Sequence, residues 1–265
     1  MAIAVGSRIL SLMGIKSLAF VAVGLCVCAV TSSMLQKHRI EAQLLRADPA
    51  VLPKEAGLMS YAGQRGRSIF GQNCASCHGS NGQGDSTRGI PNLRDGDWLY
   101  GMGSLSDIEQ VVNYGIRSYH PKTWNLAIMP AYGTLHPSPR DSKIPSLSPA
   151  NIRDLVSFLL YRQGHSSAQG KAADVRGIAR GAALFSDVGG CYDCHGPDGE
   201  GDPAIGAPNL TDRITLYGDG GPEALTQSIT YGRAGVCPAW ITVLGPVGVR
   251  EVAVYVYGLA LRGSG

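Results

Sequence analysis

Apolar residues recur at intervals of three and four in four separate segments of the chain. Two of these segments, residues 64–70 and 178–185, each end shortly before a cysteine-containing motif. The other two are residues 148–159, which begin with Ser-Pro, and residues 248–261. Such spacing places apolar side chains on one face of a helix, and Ser followed by Pro is typical of a helix start. The pattern therefore predicts an all-α fold.

The N-terminal segment predicts a membrane anchor. Residues 17–35 form a run of 19 residues without a charge, with basic residues on both sides. A helix of about 20 apolar residues crosses the hydrocarbon core of a bilayer, so this run is long enough to span it. A cleavable signal peptide, cut near residues 27–29, is the alternative. We expect a single retained transmembrane helix, with residues 1–46 forming the anchor and a stalk.

After the N-terminal segment, residues 47–265 are almost neutral in charge. The chain has 23 Lys and Arg against 20 Asp and Glu, and residues 1–46 hold five of the basic residues and one acid, which leaves a formal charge of −1 elsewhere. Binding to nucleic acid requires clustered basic side chains, so we exclude nucleic acid as a partner. The content of 36 Gly and 15 Pro with only 16% charged residues favours small, loop-rich helical domains over a coiled coil.

Four of the seven cysteines lie in two identical Cys-x-x-Cys-His frames. This pattern attaches haem c, because the two thiols bond covalently to the porphyrin and the adjacent His binds the iron. A zinc site would not need His at the same place in both frames, and a disulfide reductase is a further alternative. We predict two haem c groups, held covalently by Cys74, Cys77, Cys191 and Cys194, with His78 and His195 as the proximal iron ligands.

The surroundings of the two motifs repeat in register. Pro-Asn-Leu begins 13 residues after each motif His, Leu-Tyr-Gly ends 23 residues after it, and Tyr-Gly ends 37 residues after it. Each repeat is predicted to contain a helix, the haem motif, a Gly-rich loop, a short helix and a closing helix around haem as the core. We expect two tandem class I cytochrome c domains, residues 47–164 and 177–265, joined by a polar linker at residues 165–176.

The second axial ligand differs between the two predicted haems. Met129 is the expected ligand of the first haem, since Met129-Pro-Ala resembles Cys237-Pro-Ala; His120, at the same distance from its motif as Cys237, is the alternative. After His195 the chain contains no Met, His or Lys, so Cys237 is the expected ligand of the second haem. Three interpretations of Cys237 stay open: thiolate ligation, an unbound thiol beside an open iron, or an ordinary buried cysteine.

These motifs, in this order and spacing, resemble the dihaem third subunit of cbb3-type haem–copper oxidases. The resemblance covers about residues 44–262. It is carried by LLRADPAVLPKEAGLMSYAGQRGRSIFGQNC before and into the first motif, and by the frames NCASCHGSNGQGD, PNLRDGDWLYG, GIRSYHP, IMPAYG, CYDCHGPDGEGD, GAPNLTD and YGRAGVCPAW.

The resemblance implies an electron-transfer subunit of an oxidase that is not catalytic by itself. It implies that electrons arrive from a cytochrome bc complex or a soluble cytochrome c and leave to the monohaem and catalytic subunits of the oxidase. It also implies a bacterial inner-membrane protein whose haem domains lie in the periplasm. This family usually has Met where the chain has Cys237, and many members have a second, earlier transmembrane helix.

Two other functions remain as alternatives from the sequence. One is a dihaem electron-transfer subunit of a periplasmic dehydrogenase. The other is a haem enzyme or gas-binding sensor that uses an open second haem, which the absence of a conventional donor after His195 favours.

Overall fold

The computed structural model describes residues 6–141, 143–164 and 174–263, and side chains from residue 26 onward. It divides the chain into two compact units, Met1–Ala47 and Asp48–Gly265. The described part of the first unit is the helix α1 (Gly6–Arg46), which extends over about 60 Å. The predicted span lies inside α1, and its apolar residues at positions 27, 30, 34 and 35 are each more than half exposed.

The second unit is helical, and its described residues form isolated β-bridges in place of strands. A short 3₁₀ turn (Leu52–Lys54) precedes its first α-helix. The order of helices in each repeat is the predicted one, which confirms the all-α prediction. The helices are α2 (Ala56–Asn73), α3 (Ala75–His78), α4 (Leu105–Tyr114), α5 (Pro149–Arg162), α6 (Val175–Ser186), α7 (Tyr192–His195), α8 (Pro222–Tyr231) and α9 (Ile241–Gly263).

Side-chain caps fix where several of these helices begin. Ser104 accepts a hydrogen bond from the Asp107 N–H at the start of α4 and forms a capping box with it. Ser148 accepts from the Asn151 N–H at the start of α5, which confirms the start predicted from Ser-Pro. The predicted closing helix 248–261 lies within α9, after an interruption at Gly245, whose φ of 63° is not helical.

The helices pair across the two sequence repeats. α2 packs against α9, and α6 packs against α5, while α4 and α8 lie against α9 and α5 respectively. The crossings of α2 with α9 and of α6 with α5 each have a glycine at the point of closest approach. A Cβ on Gly66 would collide with the Glu251 backbone, and one on Gly181 would collide with the Asp154 backbone. An ion pair accompanies each crossing, Arg65–Glu251 in one and Arg180–Asp154 in the other. The two crossings are therefore equivalent.

This pairing corrects the packing implied by tandem domains. The helices α5–α8 form a contiguous group around the second motif, which we call the second-motif group. The helices α2–α4 and α9 form the first-motif group, and the second-motif group is inserted between α4 and α9. The predicted domains 47–164 and 177–265 thus describe sequence repeats whose closing segments are exchanged, and the predicted linker lies mostly outside the described residues. Both crossings use the same kind of contact, a close approach at a glycine beside an arginine–acid pair.

Among the residues whose side chains the structure describes, from residue 26 onward, α9 is the one helix with the length and hydropathy of a membrane span. More than half of that apolar window, 56%, is nevertheless buried inside the protein. Its buried Arg250 and Glu251 form ion pairs with Glu109 of α4 and Arg65 of α2. These contacts make α9 a core helix of the second unit, and the N-terminal anchor in α1 stays a prediction.

Candidate haem sites

Each Cys-x-x-Cys-His motif forms a short helical turn that follows a longer helix, directly after α2 in the first motif and five residues after α6 in the second. In the first motif, the Cys74 N–H donates to the Phe70 carbonyl, and the His78 N–H donates to the Cys74 carbonyl, both at 2.9 Å. In the second motif, the His195 N–H donates to the Cys191 carbonyl at 3.0 Å. Residues three apart in a helical turn share a face, so the two thiols of each motif are placed for attachment to one porphyrin.

Both motif histidines are oriented by a proline carbonyl. The Nδ1 atom of His78 lies 3.2 Å from the Pro91 oxygen, and that of His195 lies 2.9 Å from the Pro208 oxygen. A carbonyl only accepts, so Nδ1 carries the proton and Nε2 keeps a lone pair for iron. Burial lowers the pKa of both histidines, which favours the neutral form that binds metal. The proline of the repeated Pro-Asn-Leu, 13 residues after each motif His, thus supplies the carbonyl that orients that histidine.

Both motifs line one continuous cavity of about 1020 Å³. Its wall is mainly apolar and includes Phe70, Ile108, Leu155 and Phe185. A large apolar cavity with a few polar groups is typical of a cofactor site. The cavity is also lined by His78, His195, Met129 and Cys237, whose side chains could bind iron, and by the four motif cysteines, whose thiols could attach to porphyrin.

The chemistry of these side chains fits haem c. All seven cysteines are free thiols, so none of the motif cysteines is consumed in a disulfide. Burial raises the pKa of Cys74 and of Cys191 to about 11, with a contribution from the neighbouring motif thiol. In the part of the chain that the structure describes, no group of three or more His, Cys, Asp or Glu side chains forms a metal-binding cluster.

Met129 lies with the second motif, contrary to the expectation that it serves the first. Its N–H donates to the Arg233 carbonyl at 3.0 Å, which attaches it to the chain directly after α8. Its side chain packs against the buried cluster that contains Tyr132 and Phe185. The Tyr132 hydroxyl donates to the carbonyl of Gly189 at 2.7 Å, two residues before the second motif. The structure therefore places Met129 on the side of His195.

Cys237 lies with the first motif, which corrects its expected pairing with His195. Its N–H donates to the Ile116 carbonyl at 3.0 Å, and its carbonyl accepts from the Ile116 N–H at 2.9 Å, directly after α4. Burial raises the pKa of the Cys237 thiol to about 11, and the nearby Cys74 and Cys77 thiols add to the rise. Cys237 is thus a neighbour of the first motif and faces the same cavity as His78.

The segments around Met129 and Cys237, which we call the donor segments, occupy equivalent places in the exchanged repeats. A Cβ on Gly115 would collide with the backbone at Cys237, and one on Gly232 would collide with the backbone at Met129. These glycines each lie 37 residues after their motif His. Met129 is therefore the structural counterpart of Cys237. Counting along the chain cannot reveal this exchange, because the copy on which a segment folds is set by packing.

His120, the alternative ligand, lies outside this arrangement. Its ring stacks on Tyr114 with centroids 4.7 Å apart, and its Nδ1 accepts from the Lys122 N–H at 3.1 Å. It does not line the cavity.

Comparisons with known proteins place the chain in a family. Residues 63–163 match the family model described as cytochrome c, and residues 176–256 match that of cbb3-type cytochrome c oxidase subunit III. The FixP subunit from Bradyrhizobium sp. (strain ORS 278) is 40% identical over 233 residues, which cover 87% of this chain and 73% of that protein. The chain belongs to the cbb3-type subunit III family. A CcoP subunit from Cereibacter sphaeroides is 37% identical over 220 residues, covering 83% and 69%.

In this member of the subunit III family, the two motif groups also meet through a pair of tyrosine–glycine contacts that the haem motifs do not predict. The Tyr100 ring packs on Gly206, and the Tyr217 ring packs on Gly89. Each glycine lies 11 residues after its motif His, each tyrosine lies 22 residues after it, and this identical offset was the available signal. The adjoining hydrogen bonds run from the Gly101 N–H to Pro203 at 3.0 Å and from the Gly218 N–H to Ser86 at 2.8 Å.

Proposed function

We propose that this protein is a membrane-anchored dihaem c electron-transfer subunit of a cbb3-type oxidase. The observation that carries the proposal is the presence of two equivalent attachment motifs, each with an oriented His, on one cavity of a chain that belongs to the subunit III family. Electrons would come from a cytochrome bc complex or a soluble cytochrome c. They would leave to the monohaem and catalytic subunits of the oxidase.

The residues of the chain would hold and tune two haem groups, which supply a reversible one-electron change when bound. Cys74 and Cys77 would hold one group covalently, and Cys191 and Cys194 the other. His78 and His195 would provide proximal nitrogens whose orientation and basicity are set by their hydrogen bonds to proline carbonyls. The apolar wall would exclude water and help set the redox potentials.

The distal donors would make the two sites unequal. Cys237 would face His78, and Met129 would face His195. A thiolate carries negative charge and favours ferric iron, whereas a thioether is neutral and favours a higher potential. The site with Cys237 would therefore have the lower potential.

The proposed location is the bacterial inner membrane, with the second unit in the periplasm. The exposed apolar residues on α1 support anchoring of the first unit. The near-neutral charge of residues 47–265 is consistent with association through protein contacts rather than with nucleic acid.

Capture of the protein from native membranes tests the role in the oxidase. The complex is solubilised in mild detergent, the protein is isolated through a tag, and co-purifying chains are identified by mass spectrometry. We expect the catalytic haem–copper subunit and the monohaem subunit. Recovery of a dehydrogenase in their place would overturn the oxidase assignment in favour of the alternative electron-transfer role.

The haem count is tested by intact mass with matched cysteine variants. We expect two covalent haems in the wild type, one after Cys191→Ser with Cys194→Ser, and two after the control change of Cys26 and Cys28 to Ser. A carbon monoxide difference spectrum should be weak if both irons hold two protein ligands. A strong response from one haem would favour the gas-binding alternative.

A further inference from the structure

Arg117 has an unusual backbone conformation at the junction of the two motif groups. Its φ is 48°, and it is the one non-glycine residue with positive φ in the described part of the chain. Such conformations are uncommon for residues with a Cβ and persist where surrounding contacts stabilise them. Arg117 directly follows Ile116, whose backbone N–H and carbonyl both form hydrogen bonds with the backbone of Cys237.

The guanidinium of Arg117 contacts both donor segments. Its Nε donates to the Gly235 carbonyl at 2.6 Å, and its Nη1 donates to the Ala127 carbonyl at 3.0 Å. Gly235 lies two residues before Cys237, and Ala127 lies two residues before Met129. One planar side chain therefore connects the two segments that carry the distal donors of different sites.

We propose that Arg117 is a positioning residue that holds the Cys237 and Met129 segments in register with both haem sites at once. The inference rests on the proposed function, since it concerns the donors to the two irons. Arg presents fixed, roughly parallel N–H groups, so one guanidinium can donate to two carbonyls in a defined geometry, which a Lys ammonium on a flexible stem does not reproduce.

The second repeat has no counterpart to this side chain. Counting from each motif His, Ala234 stands where the first repeat has Arg117, and Arg233 stands where it has Ile116. The Arg233 guanidinium bonds to the Ser228 hydroxyl and lies 4.0 Å from the Tyr217 ring centroid, both within the second-motif group. Of the two arginines, Arg117 is thus the one whose side chain bonds to both donor segments. In the proposal, the position of the distal donor in both sites depends on it.

The test uses the full chain with both haems attached and compares Arg117→Lys, Arg117→Asn and Arg140→Lys. Asn tolerates positive φ, so it removes the guanidinium without adding backbone strain. Arg140 is the matched control, because its guanidinium bonds to Asn125 and Leu126 in the Met129 segment alone. Thiolate and thioether ligation give different magnetic circular dichroism signals, so the two sites are read separately.

We expect both Arg117 variants to weaken both donor signals and to let carbon monoxide bind both ferrous sites more tightly, by about tenfold or more, since outer-shell changes typically weaken a metal site by roughly 10–100-fold. Arg140→Lys should leave the Cys237 signal unchanged. The inference is overturned if either Arg117 variant alters one site alone or neither, or if Arg140→Lys alters both sites equally. A wild type without two haems, or without these two donor signals, would instead overturn the proposed function or its donor assignment.

Discussion

Cys237 and Met129 occupy the same place in the repeat but offer iron different chemistry. Each forms a backbone bridge with a residue just after the short helix of the other repeat: Cys237 with Ile116 after α4, and Met129 with Arg233 after α8. Each is also followed in the sequence by Pro-Ala. The chain alone keeps Cys237 as a thiol, because burial raises its pKa to about 11. Coordination by iron would reverse this preference, since a metal deprotonates a bound thiol. In the proposed function, the difference between the two sites would therefore come from the sulfur donor, a thiolate at Cys237 and a thioether at Met129.

Cys237→Met should raise one redox potential and leave the other almost unchanged. Replacing a thiolate by a thioether removes negative charge from ferric iron, so the ferrous form gains stability. We expect an upward shift on the order of 0.1 V or more, within the roughly 0.8 V range that axial ligands set. A spectroelectrochemical titration of the purified protein measures both potentials.

The control for this change is Cys28→Met, which alters a cysteine in α1, outside the second unit that carries both motifs. It should move neither potential. If Cys237→Met moves neither potential as well, the Cys237 sulfur is not an iron ligand. If it moves the potential of the haem held by Cys191 and Cys194, the donor assignment is reversed.

The helix crossing between α2 and α9 depends on a glycine. At Gly66 the two backbones approach so closely that a methyl group would meet the Glu251 carbonyl. Gly63 lies one turn earlier on α2, and a Cβ there would meet nothing within 4 Å. The same helix therefore offers one glycine required by packing and one that packing does not require.

Gly66→Ala should destabilise the protein, and Gly63→Ala should stabilise it. Overpacking at the crossing costs about 1–3 kcal/mol, whereas Ala in an open helical position contributes about 0.5–1 kcal/mol relative to Gly. Urea denaturation of the haem-loaded protein measures both changes. Equal effects of the two substitutions would contradict the close approach of α2 to α9.

Local features of the helices could be predicted from the sequence. The start of α5 follows from Ser148-Pro149, because a cap and a first-turn proline act within a few residues. The two haem-attachment turns follow from adjacent cysteines and histidines for the same reason. The equivalence of Met129 and Cys237 was also visible, since both precede Pro-Ala and the structure aligns them.

The exchange of closing segments could not be predicted from the same patterns. Both repeats carry a glycine and an arginine in the helix before the motif, and both closing helices carry an acid that meets that arginine. The same residue types thus stand at both crossings, so the periodicity of the sequence does not distinguish the two arrangements. The prediction of tandem domains followed the order of the sequence and paired each donor segment with the motif before it, whereas the structure places Met129 beside the second motif group and Cys237 beside the first.

At the scale of the whole molecule, the exchange makes the two sites mutually dependent. The first-motif group is completed only by residues after position 236, which follow the whole second-motif group in the chain. The second-motif group, together with the segment that carries Met129 before it and Arg233 after it, lies within one stretch of the chain from about residue 126 to residue 234. The Tyr100–Gly206 and Tyr217–Gly89 contacts then join the two groups through the loops that follow the motifs. A difference in the folding of two fragments follows from this topology.

A fragment of residues 126–234 should fold with one haem, and a fragment of residues 47–164 should not. The shorter fragment contains α5–α8, His195 and Met129, so its crossing and both of its iron donors are present. The longer fragment matches a tandem domain in sequence but lacks α9 and Cys237, so α2 has no partner at Gly66. Expression of both with the haem-attachment machinery, followed by circular dichroism and detection of methionine–iron ligation, distinguishes the topologies. Independent folding of residues 47–164 with Met129 on its iron would establish tandem domains and refute the exchange.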